Sequence, residues 1–508
     1  MAEVRLAELV AALSLGVDLG FGQPMEHVLR QCLIALSLAD RIGLEEDERS
    51  TVYYTALLVN VGCHSDAHEQ AKWFGDEIAL KSGKYDERGV RAALALVGLV
   101  GSGNPPLHRV RVGLEFAVSG RHDLDGMIAR HAALARALAE RLGLPVEVQK
   151  SVGSSYEQWD GKGWPGELAG DQIPVAARLS QFAEFVEVAH RVGGIDAALA
   201  LAERRAGSQF DPALTEVLCA DPEPILGELD SSHTWSAVIE AEPALRLTLS
   251  GDDFDRALLA IADFVDLKSP YTLGHARAVA ELAAAAGQQL GLSEDEINLL
   301  RRAGLVHDLG RLGVSNAIWD KPGPLGAGEW ERVRLHPYLT ERMLDQSAAL
   351  APLAAIAVQH RERLDGSGYP KGLSGGAISR PARILGAADA YRSMREPRPF
   401  RPPLSGEEAA AELQADARAG RLDAEVAAAV LAAAGHSVSS RRDWPAGLTT
   451  REVDVLRLVA RGHSSKQIAA ELVITPKTAR NHIEHIYTKI DASSRVAASL
   501  FATEHGLL

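Results

Sequence analysis

The sequence predicts an all-α fold: tandem helical bundles followed by a small four-helix module. Three observations carry that prediction. Alanine and leucine recur at helical spacing, as in "GHARAVAELAAAAGQQLGL" and "EEAAAELQADARAGRLDAEVAAAVLAAAG". Alternating stretches rich in β-branched residues are missing. The 508 residues exceed one ordinary core and suggest roughly three domains.

Charge and cysteine usage narrow the class. A net charge of −15 argues against a chain that coats nucleic acid or anionic membrane, while leaving room for one small basic module. Cys32, Cys63 and Cys219 lie far apart without a CxxC pair, so neither a disulfide framework nor a thiolate zinc site is indicated. The segment "MAEVRLAELVAALSLGVDLGFG" carries Glu8 and Asp18 among its apolar residues and no basic leader. No apolar run approaches the roughly 18 residues of a membrane span. The expectation is a soluble, cytoplasmic protein without membrane contact.

Residues 1–245 read as a worn copy of the bundle that follows. "SSYEQWDGKGWPGELAGDQIPVAARLSQFAE" echoes "QHRERLDGSGYPKGL": Glu157 matches Glu362, Asp160 matches Asp365, and Trp164-Pro165 falls at Tyr369-Pro370. His131 precedes Ser155 by 24 residues, as His336 precedes His360, and His27 precedes Val59 by 32, as His275 precedes His307. His131 lies 72 positions after Val59, whereas its counterpart His336 lies 29 after His307. Val59-Asn60, Ser155 and Glu184 stand where the second copy has His307-Asp308, His360 and Asp389, so catalysis is not expected in the first copy. The inserted "GCHSDAHEQAKWFGDE", with Cys63, His64, Asp66, His68 and Asp76, is expected to be a polar helix entrance with solvated side chains; an altered metal or ligand site is the other reading. The acidic, proline-bearing "CADPEPILGELDSS" reads as a linker.

Residues 246–436 carry the second bundle. Its helical stretches hold His275, the pair His307-Asp308, His336, His360 and Asp389 in order. A lone histidine on an apolar helix is ordinarily a hydrogen-bonded core residue. In "AGLVHDLG", however, the pair interrupts an apolar segment where a buried Asp308 needs a cation or a strong hydrogen-bonding partner. Rigid helices presenting such groups inward can build a metal site. The series "H … HDLGR … LHP … HRERLDGSGYP … RILGAAD" resembles the HD-GYP family of metal phosphohydrolases, which makes residues 1–245 a degenerate HD-like domain.

The resemblance implies two divalent transition metals. His275, His307, Asp308 and Asp389 would hold one, and Asp308, His336 and His360 the other, with Asp308 bridging. Imidazole and carboxylate without thiolate suit iron or manganese, with zinc possible. The implied reaction is hydrolysis of cyclic di-GMP or a related nucleotide, with Asp308 and Arg311 catalytic. Arg311, Arg361, Arg363, Asp365, Gly368, Tyr369, Pro370 and Arg398 would contact substrate, with Gly366 in the same loop. Arg361 replaces a second histidine common in the family and Tyr271 a glutamate, so a third metal is not expected; Arg392, expected beside the reaction centre, replaces an aspartate and bears on substrate identity.

After a linker at 437–447, residues 448–508 change character. "LTTREVDVLRLVARGHSSKQIAAELVITPKTARNHIEHIYTKIDASSRVAASLFATEHGLL" reads as four short helices, with Thr449 or Thr450 capping the first and Thr475-Pro476 opening the third. From Pro445 onward there are eight Lys or Arg against six Asp or Glu. The stretch resembles the LuxR-type helix-turn-helix domain, which implies DNA binding as a homodimer. Lys466 would meet phosphate, and Thr475, Lys477, Thr478, Arg480, Asn481 and His482 lie at or near the start of the recognition helix. The expected protein is a transcriptional regulator coupling a cyclic-dinucleotide phosphodiesterase to DNA binding. The competing reading is a transcription factor whose metal-containing pocket only senses a nucleotide.

Overall fold

The computed structural model of the chain describes residues 3–85, 100, 106–115, 121–227, 229, 233–243, 245–436, 444–472, 474–505 and 507. Helices dominate. Among the described residues the strands are Val4–Arg5 and Thr248–Leu249, one short antiparallel pair joining the two halves of the first unit. The chain divides into two compact units, residues 1–436 and 437–508.

Within the first unit the two halves repeat the same local devices. The helix His27–Arg41 follows Glu26, and His275–Gln289 follows Gly274; both preceding residues are left-handed, with φ of 79° and 74°. A buried carboxylate then receives an amide near each helix start: Asp18 from Val28 at 3.1 Å and Asp266 from Ala276 at 3.0 Å. The turns after Asn60 and Asp308 both need glycine. A Cβ on Gly62 would lie 2.1 Å from the His131 carbonyl oxygen, and one on Gly310 would lie 1.9 Å from that of His336. Trp164-Pro165 and Tyr369-Pro370 are both cis.

In the second half, the helix His275–Gln289 packs against Glu294–Val306 and Arg380–Arg395. Ser293 and Glu296 form a capping box that starts Glu294–Val306. The helix Ala327–Leu344 closes over the turn Leu309–Gly313. The halves are packed together: Leu6–Gly20 lies on that same turn and Ala67–Phe74 lies on the short helix Asn316–Trp319. The stretch from Cys219 does not behave as a free linker as far as Leu226. Pro212–Ala220 and Glu223–Leu226 are helical, and Ile225 and Leu226 are buried because they cover apolar residues of the first half.

Among the described residues the second unit has four α-helices, Thr450–Ala460, Ser465–Glu471, Pro476–Lys489 and Arg495–Glu504. Each is N-capped by a hydroxyl: Thr449, Ser464, Thr475 and Ser494 accept from Glu452, Gln467, Thr478 and Ala497 amides. Val453, Leu456, Ile468, Ala479, Ile486 and Ala498 form the core, with Ile483 and Ile490 packed partly against it. Residues 437–443 of the expected linker lie outside the described residues, and Pro445–Gly447 form a single tight turn.

Candidate metal centre

The six candidate ligands of the second half converge although 114 residues separate His275 from Asp389. Helix ends explain how. His307 and His360 follow the last residues of Glu294–Val306 and Ala351–Ala357, where backbone carbonyls have no intrahelical partner. Their Nδ1 atoms meet the carbonyls of Gly304 and Ala357, each at 2.7 Å. His336 lies inside a helix, yet Pro337 follows it and lacks the N–H that would occupy the Val333 carbonyl. His336 Nδ1 donates to that carbonyl at 2.6 Å, which supplies a physical reason for the "HP" dipeptide. His275 Nδ1 is held by the Glu396 carboxylate at 2.8 Å. All four Nε2 atoms are therefore left facing inward, the arrangement that outer hydrogen bonds impose on metal-binding imidazoles.

Asp308 lies between two pairs of histidines. Its Oδ1 is 3.4 Å from His336 Nε2 and 3.7 Å from His360 Nε2. Its Oδ2 is 3.6 Å from His307 Nε2 and 3.9 Å from His275 Nε2. Asp389 Oδ1 stands 3.3 Å from His275 Nε2. Three overlapping groups, His275–His307–Asp308, His307–His360–Asp389 and Asp308–His336–His360, each bring their donor atoms within 4.8 Å of one another.

These donors fit cations. His275 Nε2, His307 Nε2, Asp308 Oδ1 and Asp389 Oδ2 are buried without a hydrogen-bond partner, a costly state for polar atoms. His336 Nε2 and His360 Nε2 face each other at 3.4 Å, although each ring already gives its Nδ1 proton to a carbonyl; two lone pairs so placed call for positive charge between or beside them. Burial pushes His336 down to about 3 and His360 well below the usual imidazole range, so both are neutral donors at neutral pH. Burial opposes the charge on Asp308, but His307, Arg311 and the neighbouring imidazoles outweigh it and hold the carboxyl well below its usual range. For His275, burial works downward while the nearby carboxylates of Asp389 and Glu396 prevail and lift it to about 9.

Beside the cluster opens a cavity of about 560 Å³ lined by Arg311, Arg361, Tyr369 and Arg398 from the expected substrate set. Arg311 lies 3.9 Å over the Trp319 ring and 3.3 Å from Asp308. Arg361 lies 3.2 Å from Asp389. Other expected contacts lie elsewhere. Arg363 donates to the Glu362 carbonyl at 2.8 Å, and exposed Asp365 caps its own turn by accepting from Ser367 N–H and hydroxyl at 3.0 and 2.6 Å. Gly368 shapes the loop: a Cβ there would meet the Glu362–Arg363 backbone at 2.4 Å. Gly366 and Pro370 belong to the same turn. Arg392 faces a separate hollow with Ala278 and Glu281, so it does not touch the reaction centre.

Sequence reasoning missed several residues. Glu362 is buried and accepts from the amides of Lys371 and Leu373, both at 2.8 Å, pinning the loop behind Tyr369. Glu396 orients His275. Trp319, Trp330 and Phe400 line the cavity; for the two tryptophans the signal was "NAIWDKPGPLGAGEW", a stretch bearing aromatic, glycine and proline residues between the His-Asp pair and His336.

The first half has filled the corresponding space with its own partners. Asn60 Nδ2 and the Tyr85 hydroxyl both donate to Glu184 Oε1 at 2.8 Å, His27 pairs with Glu187, and His131 lies 2.8 Å from Asp66. Among the described residues no metal-competent cluster occurs there. The inserted segment is not the solvated entrance expected: Cys63, His64 and Asp66 are buried, with Cys63 2.8 Å from the Tyr156 hydroxyl and Asp66 on His131, while His64 reaches the Phe264 carbonyl at 2.7 Å and His68 reaches Asp320 at 2.8 Å in the second half.

In the second unit Lys466, Thr475, Lys477, Arg480 and Asn481 are exposed, while Thr478 and His482 are half-buried. No helix among the described residues is long and apolar enough to cross a membrane.

Comparison with known proteins gives matching assignments. The HD domain family matches residues 123–214 and 260–426, and the luxR family of bacterial regulatory proteins matches 446–502. The chain is 33% identical over 404 residues to 3'3'-cGAMP-specific phosphodiesterase 3 of Vibrio cholerae, covering 78% of this chain and 87% of that one. It is 33% identical over 146 residues to the cyclic di-GMP phosphodiesterase response regulator RpfG of Xanthomonas campestris, 28% of this chain and 39% of that one. A crystal structure of the cyclic GMP-AMP specific phosphodiesterase V-cGAP3 of V. cholerae aligns with a TM-score of 0.60 and 28% identity, over 85% of this chain and 98% of that chain.

Proposed function

This chain belongs to the HD-domain family, with HD-GYP phosphodiesterases as relatives and a luxR-family module after it, and from that premise we propose that it is a bacterial regulator that hydrolyses a cyclic dinucleotide and binds DNA. The observation that carries the catalytic half is the two-sided placement of Asp308, with one oxygen toward His336 and His360 and the other toward His275 and His307.

His275, His307, Asp308 and Asp389 would hold one divalent cation, and Asp308, His336 and His360 a second; all-imidazole and carboxylate donors favour iron or manganese, with zinc admissible. When bound, the cations would supply Lewis-acid stabilisation of phosphoryl charge and a more acidic water. Arg311, Arg361 and Arg398 offer guanidinium forks to phosphate oxygens on the cavity wall. Trp319, Trp330, Tyr271 and Phe400 offer ring faces to nucleobases. The substrate is cyclic di-GMP, a cyclic GMP-AMP or a close relative. The luxR-family module would read an operator as a homodimer in the cytoplasm, with Lys466 on phosphate and the start of Pro476–Lys489 in the major groove.

One contact favours a second reading, a nucleotide sensor without turnover: Arg361, 3.2 Å from Asp389 Oδ2, competes with a cation for that carboxylate. Metal analysis of anaerobically purified protein, followed by a hydrolysis screen of cyclic dinucleotides, separates the two. Turnover supports the phosphodiesterase; tight nucleotide binding without turnover supports the sensor.

A further inference from the structure

Among its described residues the first half has no metal-competent ligand set of its own, yet its inserted segment reaches the wall of the second half's cavity. Glu77 is completely buried. Its carboxylate accepts from the Ser315 hydroxyl at 2.6 Å and the Asn316 amide at 2.7 Å, and Lys268 lies 3.4 Å away. Four residues beyond, Asp320 gathers His68 at 2.8 Å, Ser269 at 2.7 Å and Asn316 at 2.7 Å. Between these two anchors stand Ile318 and Trp319, which line the cavity together with Asp320. The Trp319 ring carries the Arg311 guanidinium on one side at 3.9 Å and lies 5.4 Å from the His336 ring.

We infer that the degenerate half is a positioning element for the active half, with Glu77 and His68 holding the Ser315–Asp320 wall and, through Trp319, the orientation of Arg311. A buried carboxylate that accepts from the N-cap hydroxyl of Ser315 and the first amide of Asn316–Trp319 anchors the start of that helix through charge-assisted hydrogen bonds. Glu77 and His68 are positioning residues; neither lines the cavity. The inference rests on the phosphodiesterase reading for its kinetic consequence and on the geometry alone for its structural one.

The test uses the full chain, metal-loaded, with Glu77→Ala, Glu77→Gln and His68→Ala; the last sits at a half-exposed position and serves if Glu77→Ala fails to fold. Hydrogen exchange of amides 315–320 is read beside kcat and KM for cyclic dinucleotide hydrolysis. Glu77→Ala should speed exchange at 315–320 and raise KM by about tenfold, as a misplaced binding wall does, with metal content retained and kcat changed less. Glu77→Gln, which keeps one acceptor oxygen, should recover most of both. Wild-type exchange and KM in folded Glu77→Ala and His68→Ala overturn the inference. So does faster exchange spread evenly over residues 1–436, which marks a general scaffold. If the wild type hydrolyses no cyclic dinucleotide, the functional reading falls, and the localisation of the exchange change still decides this one.

Discussion

Replacing Glu362 by alanine tests whether the glycine-tyrosine-proline loop is held by a single buried carboxylate. Each Glu362 oxygen takes one loop amide, Lys371 on Oε1 and Leu373 on Oε2, both at 2.8 Å. A hydrogen bond to a charged group contributes about 1.5–3 kcal/mol, so two sum to roughly 3–6 kcal/mol. Lys371 is exposed and Leu373 half-exposed, so water recovers part of that, leaving about 2–4 kcal/mol of lost resistance to local opening. Native-state hydrogen exchange reads this directly: the amides between Ser367 and Leu373 should exchange about 30- to 1,000-fold faster, since 1.4 kcal/mol is tenfold. Glu362→Gln should fall between, because its amide nitrogen confronts one loop N–H. The first half contains a control. Glu157 accepts from the Glu167 amide at 2.9 Å and that of Gly166 at 3.1 Å, so Glu157→Ala should free its own loop and leave hydrolysis nearly untouched. Unchanged loop exchange in folded Glu362→Ala would show that the loop is held by something other than this carboxylate.

Two further outcomes follow from the same geometry. Because His27 and His131 are engaged with Glu187 and Asp66, alanine at either should keep metal content and leave turnover within about threefold, below what an outer-shell metal partner costs; a folded variant without turnover contradicts this. In the second unit, Lys477→Ala and Asn481→Ala should each weaken operator binding by about 1–3 kcal/mol where a base contact is lost, whereas Lys466→Ala should weaken specific and random DNA alike and lower the slope of affinity against salt by about one. Operator titrations at several salt concentrations check both.

The all-α architecture was legible because helical periodicity and capping hydroxyls are local signals: Thr449, Ser464, Thr475 and Ser494 lie within three residues of the amides they cap. The convergence of His275, His307, Asp308, His336, His360 and Asp389 was legible through order and motif. The inward aim of their Nε2 atoms was not, since it depends on carbonyls left free at helix ends and on Pro337. Asp365 was misplaced because adjacency to Tyr369 suggested the pocket, whereas Asp-Gly-Ser is also turn chemistry. Least legible were Glu77 with Asn316 and His68 with Asp320. These pairs are more than 230 residues apart, and no local pattern marks either partner. His64 and His68 of the insertion looked solvated for the same reason: their partners belong to the other half.

In the proposed centre one carboxylate, Asp308, serves two cation positions at once. Metal stoichiometry by elemental analysis of three purified variants tests it most directly. The wild type should hold about two metals per chain, His275→Ala and His336→Ala about one each because each removes a ligand from one position only, and Asp308→Ala close to none, with hydrolysis abolished. Asp308→Ala retaining wild-type metal, or losing only as much as the single histidine variants, would contradict it.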